Sequence, residues 1–307
     1  MKYVSASALI LCLLLLSELT AAASVVDLTA PTTSWTPILY SSNNPDPSND
    51  QQTGSTEGDI VGNAAHPSAY TMFGDGNTPS LTDGTLAFRI RLGADTNPSG
   101  FKTALFVGLD ANADGKIDLF LGVNNSGSAD TVGIWGPGPG ANISPNTTTM
   151  IATPLNSYTP TASNYYWSAV TAVNDPSVGT STDIDGGGQN DFFLGFAIPF
   201  SDIVAQLAAV GITLDQNSSL TYVIATATQA NSLNQDLNGI GPGFINSTST
   251  WSQLGLLSNP ITPAGLAPVP EINPAIWVGL FLVAVAAQRR FANRPKAQPQ
   301  VVRVERN

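Results

Sequence analysis

The chain has 307 residues, with 22 acidic against 11 basic side chains and a formal net charge of −11. This excess of negative charge repels the phosphate backbone of nucleic acids, so nucleic-acid binding is excluded as a function. The single cysteine, Cys12, excludes a disulfide framework and a thiolate metal site.

The first 23 residues are typical of a secretory signal peptide. Lys2 is followed by an apolar run over residues 8–16 and then by three alanines, which suit a peptidase that reads small side chains. We therefore expect export through the Sec pathway and cleavage after Ala23. The mature chain would have no thiol, because Cys12 leaves with the signal peptide.

The next segment, residues 24–84, is rich in Pro, Ser, Asn and Asp, and we expect it to be the mostly irregular start of an exported domain. From residue 24 to 268 the chain has nineteen carboxylates, eighteen of them Asp, against four basic residues. Asp favours turns and short-reach metal ligation, so acidic loops that gather divalent cations are expected. Roughly 245 residues suffice for one large β-sandwich or two small domains, and we favour one.

The run TLAFRIRL has the period-two alternation of a half-buried strand. Phe88, Ile90 and Leu92 predict its core face. Arg89 and Arg91 fall on the opposite face. Further strands are predicted at residues 104–109, 117–123, 131–135, 165–173, 191–199 and 220–228.

One helix is predicted among these strands. Ser201 is a good N-cap, Leu207 belongs to an apolar stripe, and Gly211 is a natural stop. The loops are too short for parallel crossover connections. The predicted fold class is therefore all-β: an antiparallel, jelly-roll-like β-sandwich over residues 85–258 with one short helix.

The motif DANADGKID at residues 110–118 is typical of a calcium loop. Oxygen atoms at its first, third and fifth positions converge on one point, and its glycine allows the sharp turn. Oxygen donors without His or Cys select Ca²⁺ over zinc. The alternative is that Asp, Asn and Gly only form a hairpin turn. The predicted ligands are Asp110, Asn112, Asp114, Lys116 through its carbonyl group, and Asp118.

This loop resembles the strand–loop–strand calcium sites of FG-GAP repeats, whose DxDxDGxxDL pattern is matched by DANADGKIDL. An EF-hand is excluded because position twelve is Leu121 and the flanking segments alternate as strands. The resemblance covers only this loop, so it implies a metal site and not a propeller, which would need several repeats.

A partial second copy of the loop lies 73 residues further along the chain. Asp183, Asp185 and Asp191 keep the spacing of the first loop and are possible ligands of a second metal site. Gly187 replaces the ligand equivalent to Asp114, so we expect weak calcium binding or only a turn. Both copies are followed by a Phe-Leu-Gly step.

The C-terminal part contains an apolar segment, residues 275–288, followed by basic residues. About twenty apolar residues normally span a bilayer, so this segment is a minimal membrane helix. The basic residues favour a cytoplasmic tail at 289–307, with residues 259–274 as the preceding linker. A buried core helix is the alternative interpretation of the apolar segment.

The tripeptide Val-Pro-Glu, a short apolar helix and a basic cluster together resemble the sorting tail of PEP-CTERM proteins. This resemblance implies a Gram-negative exporter, recognition by an exosortase, and at least transient residence in the inner membrane. Ile272 stands where the family has proline, and the tail is longer than the usual basic stub, which leaves cleavage or retention open. The residues that carry the resemblance are Val269, Pro270, Glu271, Arg289 and Arg290.

The sequence shows no HExxH, GxSxG or GxGxxG motif, and the mature chain has a single histidine, His66. We therefore expect no enzyme but a structural component of the cell surface or extracellular matrix. The alternative is a carbohydrate-binding module that attaches to extracellular polysaccharide through aromatic side chains. Those aromatic residues would be Trp135, Tyr165, Tyr166 and Trp167, although core packing is the more common role for each.

Overall fold

The computed structural model of the chain describes residues 26–40, 46–52, 55–76, 78–97, 100–143, 150–151, 153–239 and 250–263. These residues all belong to one compact unit, Met1–Pro268. They form two antiparallel sheets around a shared core, which confirms the predicted all-β class. The predicted signal peptide, sorting motif and membrane helix lie outside the described residues, and no helix within those residues is long and apolar enough to cross a membrane.

The strands and α-helices follow one another in a simple order, with two short 3₁₀ helices at Thr32–Ser34 and Thr56–Gly58. In chain order they are β1 (Thr36–Pro37), β2 (Ala69–Gly74), β3 (Thr85–Leu92), β4 (Ala104–Asp110), β5 (Leu119–Asn124), β6 (Thr131–Trp135), β7 (Asn156–Tyr158), β8 (Tyr165–Ala169), β9 (Phe192–Pro199), α1 (Phe200–Ala209), β10 (Thr221–Ala227), β11 (Asp236–Leu237) and α2 (Trp251–Leu254).

The first sheet has the order β1-β2-β3-β9-β8 and the second the order β11-β10-β4-β5-β6-β7. Sequential strands are neighbours from β1 to β3 and from β4 to β7. These runs are meanders, rather than the two Greek keys of the expected jelly roll. The β4–β5 and β8–β9 connections each join neighbouring antiparallel strands and carry the two predicted metal loops.

The main core lies between the two sheets and is built from alternate residues of their strands. The predicted core face of β3 is fully buried in this main core, as its three residues Phe88, Ile90 and Leu92 show. Phe88 packs edge-to-face against Tyr222 of β10, with ring centroids 5.3 Å apart, so this contact joins the two sheets.

The other face of β3 corrects the expectation of a half-buried strand, because Arg89 and Arg91 are also fully buried. Leu28, Trp35 and Val178 are among the apolar residues that cover the outer face of the first sheet. The segments that precede β1 and follow β8 therefore bury both arginines, which a strand pattern by itself does not reveal.

Strand β2 is the largest element that the sequence did not predict, since it lies in the segment expected to be mostly irregular. Both of its faces are largely buried, and this removes the alternation that identifies a strand. In the same segment, Ile60 forms an isolated antiparallel bridge with Leu92.

Helix α1 is confirmed, but its start differs from the prediction. Pro199 occupies the N-cap without a side-chain hydrogen bond, and Ser201 lies inside the helix. The positive φ of 85° at Gly211 follows the helix end, as expected. Helix α2 was not predicted. Its N-cap residue, Thr250, forms a capping box with Gln253 inside the helix.

Candidate cation-binding sites

The first aspartate loop, residues 110–118, joins β4 to β5 and is organised by its own side chains. Asp110 is 2% exposed, and its carboxylate accepts hydrogen bonds from the backbone N–H groups of Ala113 at 2.8 Å and Gly115 at 3.0 Å. Asp118 accepts from the N–H of Ala111 at 2.8 Å. Burial raises the pKa of Asp118, with further contributions from the charges of its acidic neighbours in the loop.

The remaining predicted ligands of this loop are closer to solvent. Asn112 accepts from the N–H of Asp114 at 3.0 Å, and the Asp114 carboxylate contacts the Lys116 ammonium group at 3.3 Å. Ala113 has a φ of 60° and Gly115 a φ of 80°. A left-handed alanine is uncommon, so the loop holds a defined conformation.

The second aspartate loop, residues 183–191, repeats this conformation. Gly186 and Gly188 have φ values of 74° and 82° at the positions equivalent to Ala113 and Gly115. The left-handed backbone therefore recurs at the same two places, 73 residues apart.

The hydrogen bonds of the first loop also recur in the second. Gly188 donates its N–H to Asp183 at 2.8 Å, as Gly115 does to Asp110. Gly187 donates to Asp185 at 3.0 Å, as Asp114 does to Asn112. The closing aspartates likewise accept from the N–H seven residues earlier, from Ala111 and from Ile184. The sequence echo is therefore a structural repeat, with one copy in each sheet.

The second loop brings three carboxylates together: oxygens of Asp183, Asp185 and Asp191 lie within 4.8 Å of one another. Asp185 Oδ2 is buried without a hydrogen-bond partner among the described residues. Burial raises the pKa of Asp185, and burial also raises that of Asp191 to about 7, although Asp191 pairs with Arg91 at 3.1 Å. In the first loop Asn112 takes the place of Asp185, so an amide replaces one carboxylate.

A third acidic site, which we name the buried aspartate cluster, consists of Asp46, Asp50, Asp59 and Asp236. Oxygens of Asp46, Asp50 and Asp236 lie within 4.8 Å of one another. Asp46 is 3% exposed, and Asp59 and Asp236 are fully buried. The first three come from the segment before β2 and the last from β11.

Backbone amides satisfy only part of this cluster. Asp236 accepts from the N–H of Ile60 at 2.6 Å, and Asp59 from that of Asn49 at 2.9 Å. Asp46 accepts from Gly239 through Oδ1. Four carboxylate oxygens are buried without a hydrogen-bond partner among the described residues: Asp46 Oδ2, Asp50 Oδ1, Asp50 Oδ2 and Asp59 Oδ1.

The environment of the cluster disfavours the charged form of all four carboxyl groups. Burial raises the pKa of Asp50 to about 6 and, with the charges of its neighbours, that of Asp59 to about 6. The pKa values of Asp46 and Asp236 are raised well above the ordinary range, chiefly by burial and then by repulsion from the other carboxylates.

The basic residues of the described chain are all engaged elsewhere. Arg91 pairs with Asp175 and Asp191, and Lys102 and Lys116 pair with exposed carboxylates. Arg89 donates to the carbonyl oxygen of Leu28 and lies 4.4 Å from the ring of Trp35. Within the described residues, the buried aspartate cluster therefore has no ion pair.

Sequence reasoning did not identify this cluster. Asp46, Asp50 and Asp59 lie in a segment without a metal-loop spacing, and Asp236 lies in the polar stretch NQDLNG. Their shared acidity in a chain with few basic residues was the one available signal. The contact between Ile60 and Asp236, which are 176 residues apart, comes from the tertiary structure.

The residues considered for sugar binding pack largely inside the protein. Trp135 is 1% exposed, and Tyr165, Tyr166 and Trp167 are partly buried against the apolar clusters. An open cleft of about 630 Å³ lies beside the first aspartate loop. Its lining includes Asn112, Asp114, Lys116, Ile151, Leu155 and Val210, and contains no aromatic residue among those described.

His66, the lone histidine, contacts Ser177 Oγ at 2.9 Å and lies 4.0 Å from Asp175. The predicted sorting residues, Val269 to Glu271 with the two arginines after the apolar segment, lie outside the described residues. No family model, curated protein or solved structure matches this chain. The resemblances to FG-GAP loops and to PEP-CTERM tails therefore stay predictions.

Proposed function

We propose that this protein is a non-enzymatic, exported component of the cell surface or extracellular matrix whose β-sandwich is stabilised by calcium bound at its aspartate loops. The observation that carries the proposal is the repeated loop: two hairpins, one in each sheet, share left-handed positions and side-chain hydrogen bonds. Each presents carboxylate or amide oxygens at the same positions, and such donors suit Ca²⁺.

Calcium at these loops would act on stability. Carboxylates held close together repel one another, and a bound divalent cation replaces that repulsion with attraction. The loops connect neighbouring strands of each sheet, so fixing them would fix the strand pairs on either side. Export through a signal peptide, sorting by an exosortase and transient anchoring in the inner membrane belong to the same proposal and rest on the terminal sequences.

The alternative, a module that binds extracellular polysaccharide, has less support from the geometry. Sugar rings stack on exposed aromatic faces. The candidate aromatic residues are instead packed against other side chains: Trp135, Tyr165, Tyr166 and Trp167. Such a ligand would use the cleft beside the first loop, whose described lining offers no aromatic ring for stacking.

Thermal unfolding of the full chain, in millimolar Ca²⁺ and in excess chelator, tests the proposal. A cation held by the folded state alone at about 100 times its Kd raises the midpoint by roughly 5–10 °C for a domain of this size. D114N should show a smaller rise. D130N is the matched control, because Asp130 also pairs with an exposed lysine at 3.3 Å. Equal rises in wild type, D114N and D130N would contradict calcium binding at the first loop.

A further inference from the structure

We propose that the buried aspartate cluster is a third calcium site, which ties the segment around Asp46 and Asp50 to Asp236 on strand β11. Its three closest carboxylates, those of Asp46, Asp50 and Asp236, belong to neither aspartate loop. Asp59 lies near enough to Asp185 of the second loop for their charges to repel. The inference does not require calcium at either loop. The site would bind a hard divalent cation that is coordinated only by oxygen atoms.

The first argument is the set of unsatisfied oxygens. Asp46 is 3% exposed and its Oδ2 has no partner among the described residues, while its carboxylate lies within 4.8 Å of those of Asp50 and Asp236. Asp59 is fully buried, and its Oδ1 has no partner either. Buried polar atoms are nearly always satisfied, so these oxygens point to a ligand.

The second argument is charge. Four aspartates meet in one place, and every ion pair of the described arginines and lysines is made elsewhere. Their mutual effects are repulsive, since each of Asp50 and Asp59 disfavours ionisation of Asp236. A bound divalent cation would replace this repulsion with attraction.

Calcium takes six to eight oxygen ligands, and the cluster offers four buried carboxylate oxygens that have no partner among the described residues. Asp46, Asp50 and Asp236 supply carboxylates at the shortest mutual distances, and Asp59 lies beside them. These groups contain no nitrogen or sulfur ligand, which disfavours zinc.

The site would have a mechanical role, because its ligands come from distant parts of the chain. Ile60 donates its N–H to Asp236, while Val61 donates to the carbonyl oxygen of Arg91 on β3. The segment therefore touches both sheets at this point. A metal that closes a long loop removes much of the conformational freedom of the unfolded chain, so the stabilisation should be large.

The decisive variant is D50N, because the Asp50 carboxylate accepts no hydrogen bond from another described residue. The substitution removes one charge and breaks no hydrogen bond to such a residue. In chelator, D50N should be at least as stable as the wild type, since repulsion is reduced. In Ca²⁺ its midpoint should rise by less than that of the wild type. Calcium titration calorimetry on the full chain should show one site fewer, or at least a tenfold weaker Kd at one site.

D114N separates this inference from the proposed function. If D50N loses a site and D114N loses none, the buried cluster stands and the first loop fails as a calcium site; the reverse result overturns the cluster. A D50N protein destabilised equally in chelator and in Ca²⁺ would also overturn it, because Asp50 would then have only a structural role. D130N should titrate as the wild type does.

Hydrogen exchange on the wild type gives a readout that does not need a variant. The amides of Ile60 and Gly239 donate to Asp236 and Asp46, so calcium should slow their exchange at least tenfold. Amides on β6, remote in sequence from the cluster, serve as the internal reference. Equal exchange of the Ile60 and Gly239 amides with and without Ca²⁺ would count against the site.

Discussion

Arg89 and Arg91 show how single residues connect the outer segments to the first sheet. Both lie on β3 and are fully buried. Arg91 pairs with Asp175 and Asp191, whereas Arg89 lies over the ring of Trp35. A guanidinium group is weakly hydrated and stacks on aromatic rings, so it tolerates such burial better than an ammonium group does.

We expect D175N to lower the free energy of unfolding by about 3 kcal/mol, because removing one partner of a buried ion pair leaves the other without compensation. Asp175 also accepts from Thr32 Oγ1 at 3.0 Å and from Ser177 Oγ at 2.5 Å. D130N, at an exposed pair, should cost less than about 1 kcal/mol. Urea unfolding at pH 7 measures both, and equal losses would contradict the role of burial.

The wild type and D175N together also test how the stability contributed by Asp175 depends on pH. Burial by itself would raise the pKa of Asp175, but the hydrogen bond from Ser177 and the charge of Arg91 outweigh it, so the pKa is lowered. A carboxyl group with a lowered folded pKa contributes stability above its unfolded pKa and loses it as the pH falls through the folded pKa. The difference between wild type and D175N should therefore be constant from about pH 7 to 5 and shrink below about pH 4. An undiminished difference at pH 3 would count against this assignment.

At the level of single elements, strand β5 depends on a glycine for its close approach to β4. A methyl group added at Gly122 would lie 2.2 Å from the carbonyl oxygen of Leu105 and 2.8 Å from the ring of Phe106. The backbone oxygen belongs to a paired strand and cannot move without disturbing the sheet. Gly122 also belongs to the Phe-Leu-Gly step that follows the first aspartate loop.

We expect G122A to lower the free energy of unfolding by about 1–3 kcal/mol, since overpacking forces strands apart. G127A is the matched control, because nothing lies within 4 Å of a methyl group added at Gly127. It should be neutral or slightly stabilising through the unfolded state. Denaturant unfolding of the two variants gives the comparison, and similar stabilities would show that β5 can shift.

At the scale of the whole molecule, the two ends of the described chain meet on the sandwich. Tyr40 forms a bridge with Ser258, and Asn259 donates its N–H to the carbonyl oxygen of Leu39 at 2.7 Å. Ile261 in turn pairs with Leu220 beside β10. The sandwich contacts thus continue into the region expected to be a linker, and the N-terminal segment belongs to the same unit.

We therefore expect the sandwich to unfold in one cooperative transition. The segment around Ile60 bonds to both sheets, the terminal segments pair with each other, and the main core is shared by both sheets. Scanning calorimetry of the calcium-loaded chain should give a calorimetric enthalpy equal to the van't Hoff enthalpy. Two resolved transitions would show that the sheets unfold separately.

The sequence by itself determined the all-β class, most strand positions, the helix at Phe200–Ala209 and the repeat of the two aspartate loops. These features are local, because alternation, turn residues and ligand spacing act over a few neighbouring positions. The shared spacing of the aspartates and the Phe-Leu-Gly step related the two loops, and the hydrogen bonds of Asp110 and Asp183 confirm the relation.

Only the tertiary structure decided the strand order, the burial of both β3 arginines and the meeting of Asp46, Asp50 and Asp59 with Asp236. Each depends on contacts between segments far apart in the chain, whose pairing is set by the packing of whole sheets and has no local signature. An alternating strand predicts which side chains share a face, but what covers that face is decided by the rest of the fold.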